Sequence, residues 1–174
     1  GKSPLFPKYE TFADFLSNTI IGKRKHTISE FFYRTQHIQQ LGGYQIYPAG
    51  YYADDASILL FCNNNGIAST EESLIVYRKS ENNISSSSCW NVEKSKAALK
   101  YYQWIIDEFP MKQQDEQIIQ QRLDFDLYTY FSAALNIHQS IQILNCIPVN
   151  IWNWKKKLLC LYKFILNSYA KQIK

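Results

Sequence analysis

Two adjacent carboxylates, Asp54 and Asp55, are the side chains of this sequence best placed to do chemistry. They follow a loop rich in glycine and tyrosine, residues 42–52, and they precede an apolar run, residues 56–62. The apolar run predicts a buried helix, so the acids stand at a helix N-terminus, where free N–H groups and the helix dipole favour negative charge. In one interpretation Asp54 is the N-cap and Asp55 a first-turn acid. In the other, the pair takes a proton from a substrate.

Apolar spacing and turn residues predict the elements that hold the acid pair in place. A helix is expected over residues 9–21, and an aromatic, strand-like segment follows at residues 29–34. Thr35 can cap a short helix that ends at Gly42 and Gly43, because glycine there permits a left-handed backbone. The acids then begin the next helix.

The rest of the chain changes in character near residue 91. The run 63–66, Asn-Asn-Asn-Gly, ends the helix of the acid pair, and residues 67–78 predict two short strands, of which 74–77 is the better. Helices are expected over residues 93–109, 114–137 with a continuation over 138–145, and 152–173. We therefore predict a helix-rich, mixed α/β fold, with one part over residues 1–90 and a helical extension over residues 91–174.

Composition and charge exclude several classes of protein. The net charge of +4 is mild and argues neither for nor against nucleic acid, because the basic residues form no arginine-rich stripe, and no nucleic-acid partner is predicted. No apolar run is long enough to cross a bilayer, and no signal peptide is recognised. Cys62, Cys146 and Cys160 lie among apolar residues, which indicates buried thiols in a reducing, cytoplasmic compartment. The histidines and cysteines show no metal-ligand spacing.

The order of motifs around the acid pair supports a more specific interpretation. An arginine ends the aromatic segment, a Gly-Gly-Tyr turn follows, the acids begin a helix, and a Val-Tyr-Arg strand leads into a polar loop. The residues in this succession are Arg34, Gly42, Gly43, Tyr44, Asp54, Asp55, Gly66, Val76, Tyr77, Arg78, Ser80, Asn83 and Ser85. Over about residues 27–88 the chain thus resembles the acceptor-side half of the family-2 glycosyltransferases, which are inverting enzymes of the GT-A fold.

The resemblance implies roles for individual side chains. Asp55 would be the general base that deprotonates an acceptor hydroxyl, with Asp54 as its orienting neighbour. Arg78 and the loop carrying Ser80, Asn83 and Ser85 would bind substrate near the donor diphosphate. Tyr51 and Tyr52 would either stack on sugar rings or pack within their own loop.

The resemblance also implies parts that this sequence does not carry. In that family a nucleotide-binding half with an Asp-x-Asp metal motif precedes the acceptor side. The sequence before Thr27 is too short to hold it, and the one Asp-x-Asp, residues 124–126, is predicted on a solvated helix face. Mg²⁺ or Mn²⁺ is therefore expected in a full-length enzyme and not in this fragment, which alone is expected to be inactive.

The expected function is transfer of a sugar from a nucleotide sugar to a glycan or lipid-linked acceptor, in bacterial cell-envelope polysaccharide synthesis. The alternative from a different class is a non-catalytic helical binding domain, in which the acids only cap a helix. Residues 152–173 combine tryptophan and lysine without an acid, which fits either a membrane-surface helix at the inner face of the membrane or a core helix with a basic outer side. The acidic stretch 107–126 could pair with that helix within the domain or across a homo-oligomer.

Overall fold

The computed structural model describes residues 7–24, 28–63, 65–70 and 87–172. Within these residues the chain forms helices joined by short turns, together with one small sheet. In chain order the elements are β1 Tyr9–Glu10, α1 Phe12–Ile20, α2 Thr35–Gln40, α3 Ala53–Cys62, β2 Ile67–Ala68, α4 Asn91–Glu108, α5 Gln113–Ser132, α6 Ile137–Cys146 and α7 Trp154–Gln172. The helix-rich, mixed class predicted from the sequence is confirmed at this level.

Helix α4 is the centre of the packing. Its inward face carries two alanines, Ala97 and Ala98, followed by larger side chains at Tyr101, Tyr102 and Ile105, all of them buried. The spacing of these residues is that of one helix face, and the small alanines allow neighbouring helices to approach closely. Helices α5 and α6 pack against this face, and so does the turn Pro48–Gly50 that precedes the acid pair.

In the described residues of the first part of the chain, strand is limited to one short antiparallel pair. Strand β1 pairs antiparallel with β2, with Glu10 opposite Ile67, and each strand has two residues. Residues 29–34 are not a strand, so that prediction is wrong. Their aromatic side chains pack into the core instead: the Tyr33 ring meets Phe61 edge-on at 5.0 Å between centroids. The predicted strand 74–77 lies outside the described residues.

The Gly-Gly turn after α2 forms as predicted. Gly43 N–H donates to the Ile38 carbonyl at 2.9 Å, and Gly42 N–H donates to the Gln39 carbonyl at 3.2 Å. These two bonds make a Schellman motif, in which Gly42 takes a left-handed φ of 81°. The turn therefore ends α2 by local geometry and directs the chain into the loop of the acid pair.

Residues 91–172 form the four helices α4 to α7, joined by short connections. The break predicted within the second long helix falls between α5 and α6, where Asn136 caps α6 by accepting from the Gln139 N–H. The last helix begins at Trp154, two residues later than predicted, because Asn153 caps it: its Oδ1 accepts from the Lys156 N–H at 2.9 Å. Trp152 lies before the cap, where it is fully buried and donates its ring N–H to Asp124. None of the helices described is both long and apolar enough to cross a membrane.

Candidate functional site

A cleft of about 670 Å³ lies between the loop of the acid pair and the helical extension. Residues 49–55 form one wall, and the opposite wall comes from the end of α1, from α4 and from α5. The full lining is Thr19, Ile20, Gly22, Arg24, Ala49, Gly50, Tyr51, Tyr52, Ala53, Asp54, Asp55, Tyr101, Tyr102, Ile105, Arg122, Asp126 and Tyr130. Its size is that of a small-molecule site, and its polar and aromatic groups are suited to a hydroxylated ligand.

The acid pair lies in the first turn of α3. The helix begins at Ala53, so Tyr52 occupies the N-cap position and both acids follow it. The prediction that Asp54 is the N-cap is therefore wrong by two positions, although both acids stand at the helix N-terminus as expected. Asp55 N–H donates to Asp54 Oδ1 at 3.1 Å. This bond fixes the orientation of the Asp54 carboxylate relative to the backbone of Asp55.

The loop before the acids holds two residues in a strained backbone conformation. Among the described residues other than glycine, only Ala49 and Tyr52 have positive φ, at 53° and 65°. A left-handed backbone costs an L-residue roughly 1–2 kcal/mol, so the surrounding contacts must hold it in place. Both residues line the cleft, and the turn at Tyr52 directs α3 so that its first residues face the cavity.

Contacts to the tyrosine side chain stabilise the backbone conformation of Tyr52. Its ring stacks on Tyr101, with centroids 4.7 Å apart and planes 15° from parallel. Its hydroxyl donates to Asp126 Oδ2 at 2.8 Å and lies 3.0 Å from the Tyr130 hydroxyl. Burial, followed by the neighbouring hydroxyls and the Asp126 carboxylate, raises the pKa of Tyr52 well above its ordinary value.

Asp126 accepts hydrogen bonds from two tyrosines at the base of the cleft. Its Oδ2 receives the Tyr52 hydroxyl and also the Tyr102 hydroxyl, the latter at 2.6 Å, and its side chain is 13 % exposed. The prediction that residues 124–126 form a solvated helix face is therefore wrong for Asp126. The hydroxyl donors come from other elements, α4 and the acid-pair loop, and the sequence around Asp126 does not reveal them.

Two arginines add positive charge to the cleft. Arg122 lies one turn before Asp126 on α5, with Nε 4.0 Å from Asp126 Oδ1. Burial lowers the pKa of Arg122, but Asp126 and Tyr102 more than offset this effect, so the net direction is upward. Arg24 is buried against Glu10, with Nη1 and Oε2 3.2 Å apart, and its pKa is lowered by burial, which the charges of Glu10 and Glu30 partly offset.

The predicted site residues divide into two groups. Tyr51, Tyr52, Asp54 and Asp55 all line the cleft. The other four predicted residues, Arg78, Ser80, Asn83 and Ser85, lie outside the described residues. Within the cleft, Tyr51 packs edge-on against Tyr52 and Tyr130, with centroids 5.0 and 5.9 Å apart.

The sequence did not point to the α5 side of the cleft. Arg122, Asp126 and Tyr130 follow one another at four-residue intervals, which places them on one face of the helix. That spacing was the only signal in the sequence, and it shows that the three side chains share a face without showing what the face contacts.

No metal centre is evident in the part of the chain that the structure describes. Within it, no three His, Cys, Asp or Glu side chains are grouped as ligands. His37 instead hydrogen-bonds the Phe61 carbonyl through Nε2 at 2.7 Å, which is a structural role between α2 and α3. The chain was also compared with known proteins. No protein-family model, curated protein or solved structure matches it.

Proposed function

We propose that the cleft is the acceptor site of an inverting glycosyltransferase of the family-2 type, with Asp55 as general base and Asp54 as its orienting neighbour. The observation that carries the proposal is that both acids line one cleft with tyrosine and arginine side chains. The order of motifs in the sequence supports the same assignment. The GT-A fold, and the placement of this chain on its acceptor side, belong to the proposal.

The reaction needs one proton acceptor on this side of the active site. As the acceptor hydroxyl oxygen attacks the anomeric carbon of the nucleotide sugar, the Asp55 carboxylate takes its proton. The bond from that carbon to the diphosphate breaks with inversion, and the diphosphate leaves with the electron pair. A divalent cation, when bound, would neutralise charge on that leaving group. The described residues do not include a ligand set for it.

The remaining groups of the cleft are suited to hold a sugar. Arg122 can donate hydrogen bonds and the carboxylates can accept them, so both kinds of partner for hydroxyl groups face the cavity. The exposed surface of Tyr51 offers an apolar contact for a sugar ring, while Tyr52 is held in the tyrosine cluster. This division assigns Tyr51 to binding and Tyr52 to positioning the acid pair.

Asp55→Asn tests the assignment in the enzyme that carries this chain. The substitution keeps the shape of the side chain and removes its basicity, so transfer from a nucleotide sugar should fall by about 100-fold or more. Binding of the nucleotide sugar, measured by calorimetry, should stay unchanged. The control is Asp107→Asn, because Asp107 is exposed on α4 and does not line the cleft.

Two outcomes decide against the proposal. Unchanged transfer by Asp55→Asn would falsify the assignment of the base. If the 174-residue chain binds oligosaccharides with equal affinity as wild type and as Asp55→Asn, and no transfer is found in any protein carrying it, the non-catalytic binding domain is the better description.

A further inference from the structure

Helix α7 carries apolar side chains on both of its sides. An ordinary surface helix turns an apolar stripe toward the core and polar residues toward water. The inward side of α7 holds Cys160, which is buried, Leu161 and Phe164, which pack against the core, and two lysines, the buried Lys157 and the half-buried Lys156. Leu158, Trp154 and Tyr162 are 65 %, 64 % and 60 % exposed. The arrangement requires an explanation beyond core packing.

Specific polar contacts fix the orientation of α7. The Lys157 ammonium donates to the Leu144 carbonyl at 2.7 Å and to the Ile147 carbonyl, and so satisfies carbonyl groups at the end of α6. Lys156 forms an ion pair with Asp124 on α5, which confirms pairing of the acidic stretch with this helix within one chain. Because these contacts set the rotation of the helix, its outward face does not result from loose packing.

The outward face is a continuous apolar stripe. Trp154, Leu158, Tyr162 and Leu166 recur every four residues, and Leu159 and Ile165 widen the stripe on either side. All six side chains are exposed. An apolar surface of this kind on a folded domain marks an interaction site.

The charges of α7 indicate what covers the stripe. The helix contains five lysines and no acidic residue. Of these, Lys155 and Lys163 are exposed, and helical spacing puts Lys155 at the N-terminal end of the stripe and Lys163 at its edge. We propose that this face of α7 binds the surface of an anionic lipid bilayer, with the apolar stripe in the interface and the exposed lysines at the headgroups. Trp154 then lies at headgroup depth, where tryptophan is favoured.

The same observations argue against two other occupants. Two copies of this chain meeting through the face would bring lysines together without an acid on either side, because a two-fold interface presents the same patch twice. A nucleic acid would engage the lysines but would leave the apolar stripe in water. A lipid surface uses both features.

Vesicle flotation with the 174-residue chain tests the proposal. Vesicles of phosphatidylcholine with phosphatidylglycerol should bind the protein at low salt, and vesicles of phosphatidylcholine alone should bind it much less. High salt should weaken binding, because the lysine contribution is screened. Trp154 fluorescence should shift to the blue on binding, and Trp154→Phe should lose the shift.

Two double variants separate the apolar and the charged contributions. Lys155→Glu with Lys163→Glu should lower the partition coefficient by about 25-fold or more, since each lysine near an anionic surface contributes roughly fivefold. Leu158→Ser with Leu166→Ser should weaken binding to a similar degree. Leu135→Ser and Lys96→Glu are the matched controls, because both residues are exposed elsewhere on the molecule, and they should bind like wild type.

Three results would overturn the proposal. The first is no flotation at low salt by protein whose circular dichroism shows it to be folded. The second is binding that the controls reduce as much as the α7 variants do. The third is a dimer in light scattering that Leu158→Ser disrupts, with no vesicle binding, which would make the stripe a contact between copies of this chain.

Discussion

The hydroxyl of Tyr52 donates a hydrogen bond to Asp126 at 2.8 Å and so joins the N-cap of the acid-bearing helix to the middle of α5. The two residues are 74 positions apart in the sequence. Because Tyr52 also has a left-handed backbone, this bond is one of the contacts that hold the strained turn before Asp54 and Asp55. The geometry of the acid pair thus depends on the helical extension.

Removing that hydroxyl should destabilise the domain. Tyr52→Phe keeps the ring stacking on Tyr101 but takes a donor from a buried carboxylate, so the free energy of unfolding should fall by about 1–3 kcal/mol. Tyr128→Phe is the control, since Tyr128 is exposed on α5, the helix that carries Asp126, and it should change stability by less than about 0.5 kcal/mol. Urea denaturation measures both variants. Equal effects would mean that the Tyr52–Asp126 bond contributes nothing to stability.

Two glycines that both have a positive φ should respond differently to substitution by alanine. Gly42 and Gly66 have φ of 81° and 66°, so a side chain is strained at either position. A Cβ at Gly66 would lie 2.3 Å from the Glu10 carbonyl oxygen, whereas a Cβ at Gly42 meets nothing within 4 Å. Gly66→Ala should therefore destabilise the protein by about 1–3 kcal/mol more than Gly42→Ala.

Urea denaturation of the two glycine variants isolates the clash from the backbone strain that they share. The β1–β2 pairing gives a second readout, because Glu10 belongs to β1. Amide exchange in β1 should speed up in Gly66→Ala and stay unchanged in Gly42→Ala. If the two variants lose the same stability, the close approach at Gly66 is not a constraint on the fold.

Alkaline pH should destabilise the fold through its buried tyrosines. Burial raises the pKa of Tyr47 from 10 to about 12, and burial, followed by Asp55, raises that of Tyr101 well above its ordinary value. A phenol with a raised pKa in the folded state stabilises the fold fully below pH 10, and this contribution is lost as the pH rises through the folded pKa. The unfolding free energy should therefore begin to fall near pH 10.

Tyr47→Phe checks the origin of this pH dependence. The Tyr47 contribution is lost between pH 10 and about 12 and is worth up to about 3 kcal/mol, so the variant should show a shallower decline over that interval. Urea unfolding at a series of alkaline pH values measures the slope. A decline that is identical in wild type and variant would rule Tyr47 out as a source.

Several features of the fold were predictable because their causes are local. The Schellman turn at Gly42 depends on one residue without a side chain, and α3 follows from an apolar run that ends at an Asn-Gly sequence. The buried face of α4 follows from the helical spacing of its alanines, tyrosines and isoleucine. The position of the acid pair at a helix N-terminus was predictable for the same reason.

The rest of the site could not be predicted because it is made by contacts between distant segments. The sequence by itself determined the helices, though not the residue at which each one begins, and the acids in the first turn of α3. Only the tertiary structure decided that Asp126 turns toward Tyr52 and Tyr102, and that the apolar stripe of α7 faces outward. Helical spacing shows which residues share a face, but the partners available on other elements decide which face is buried.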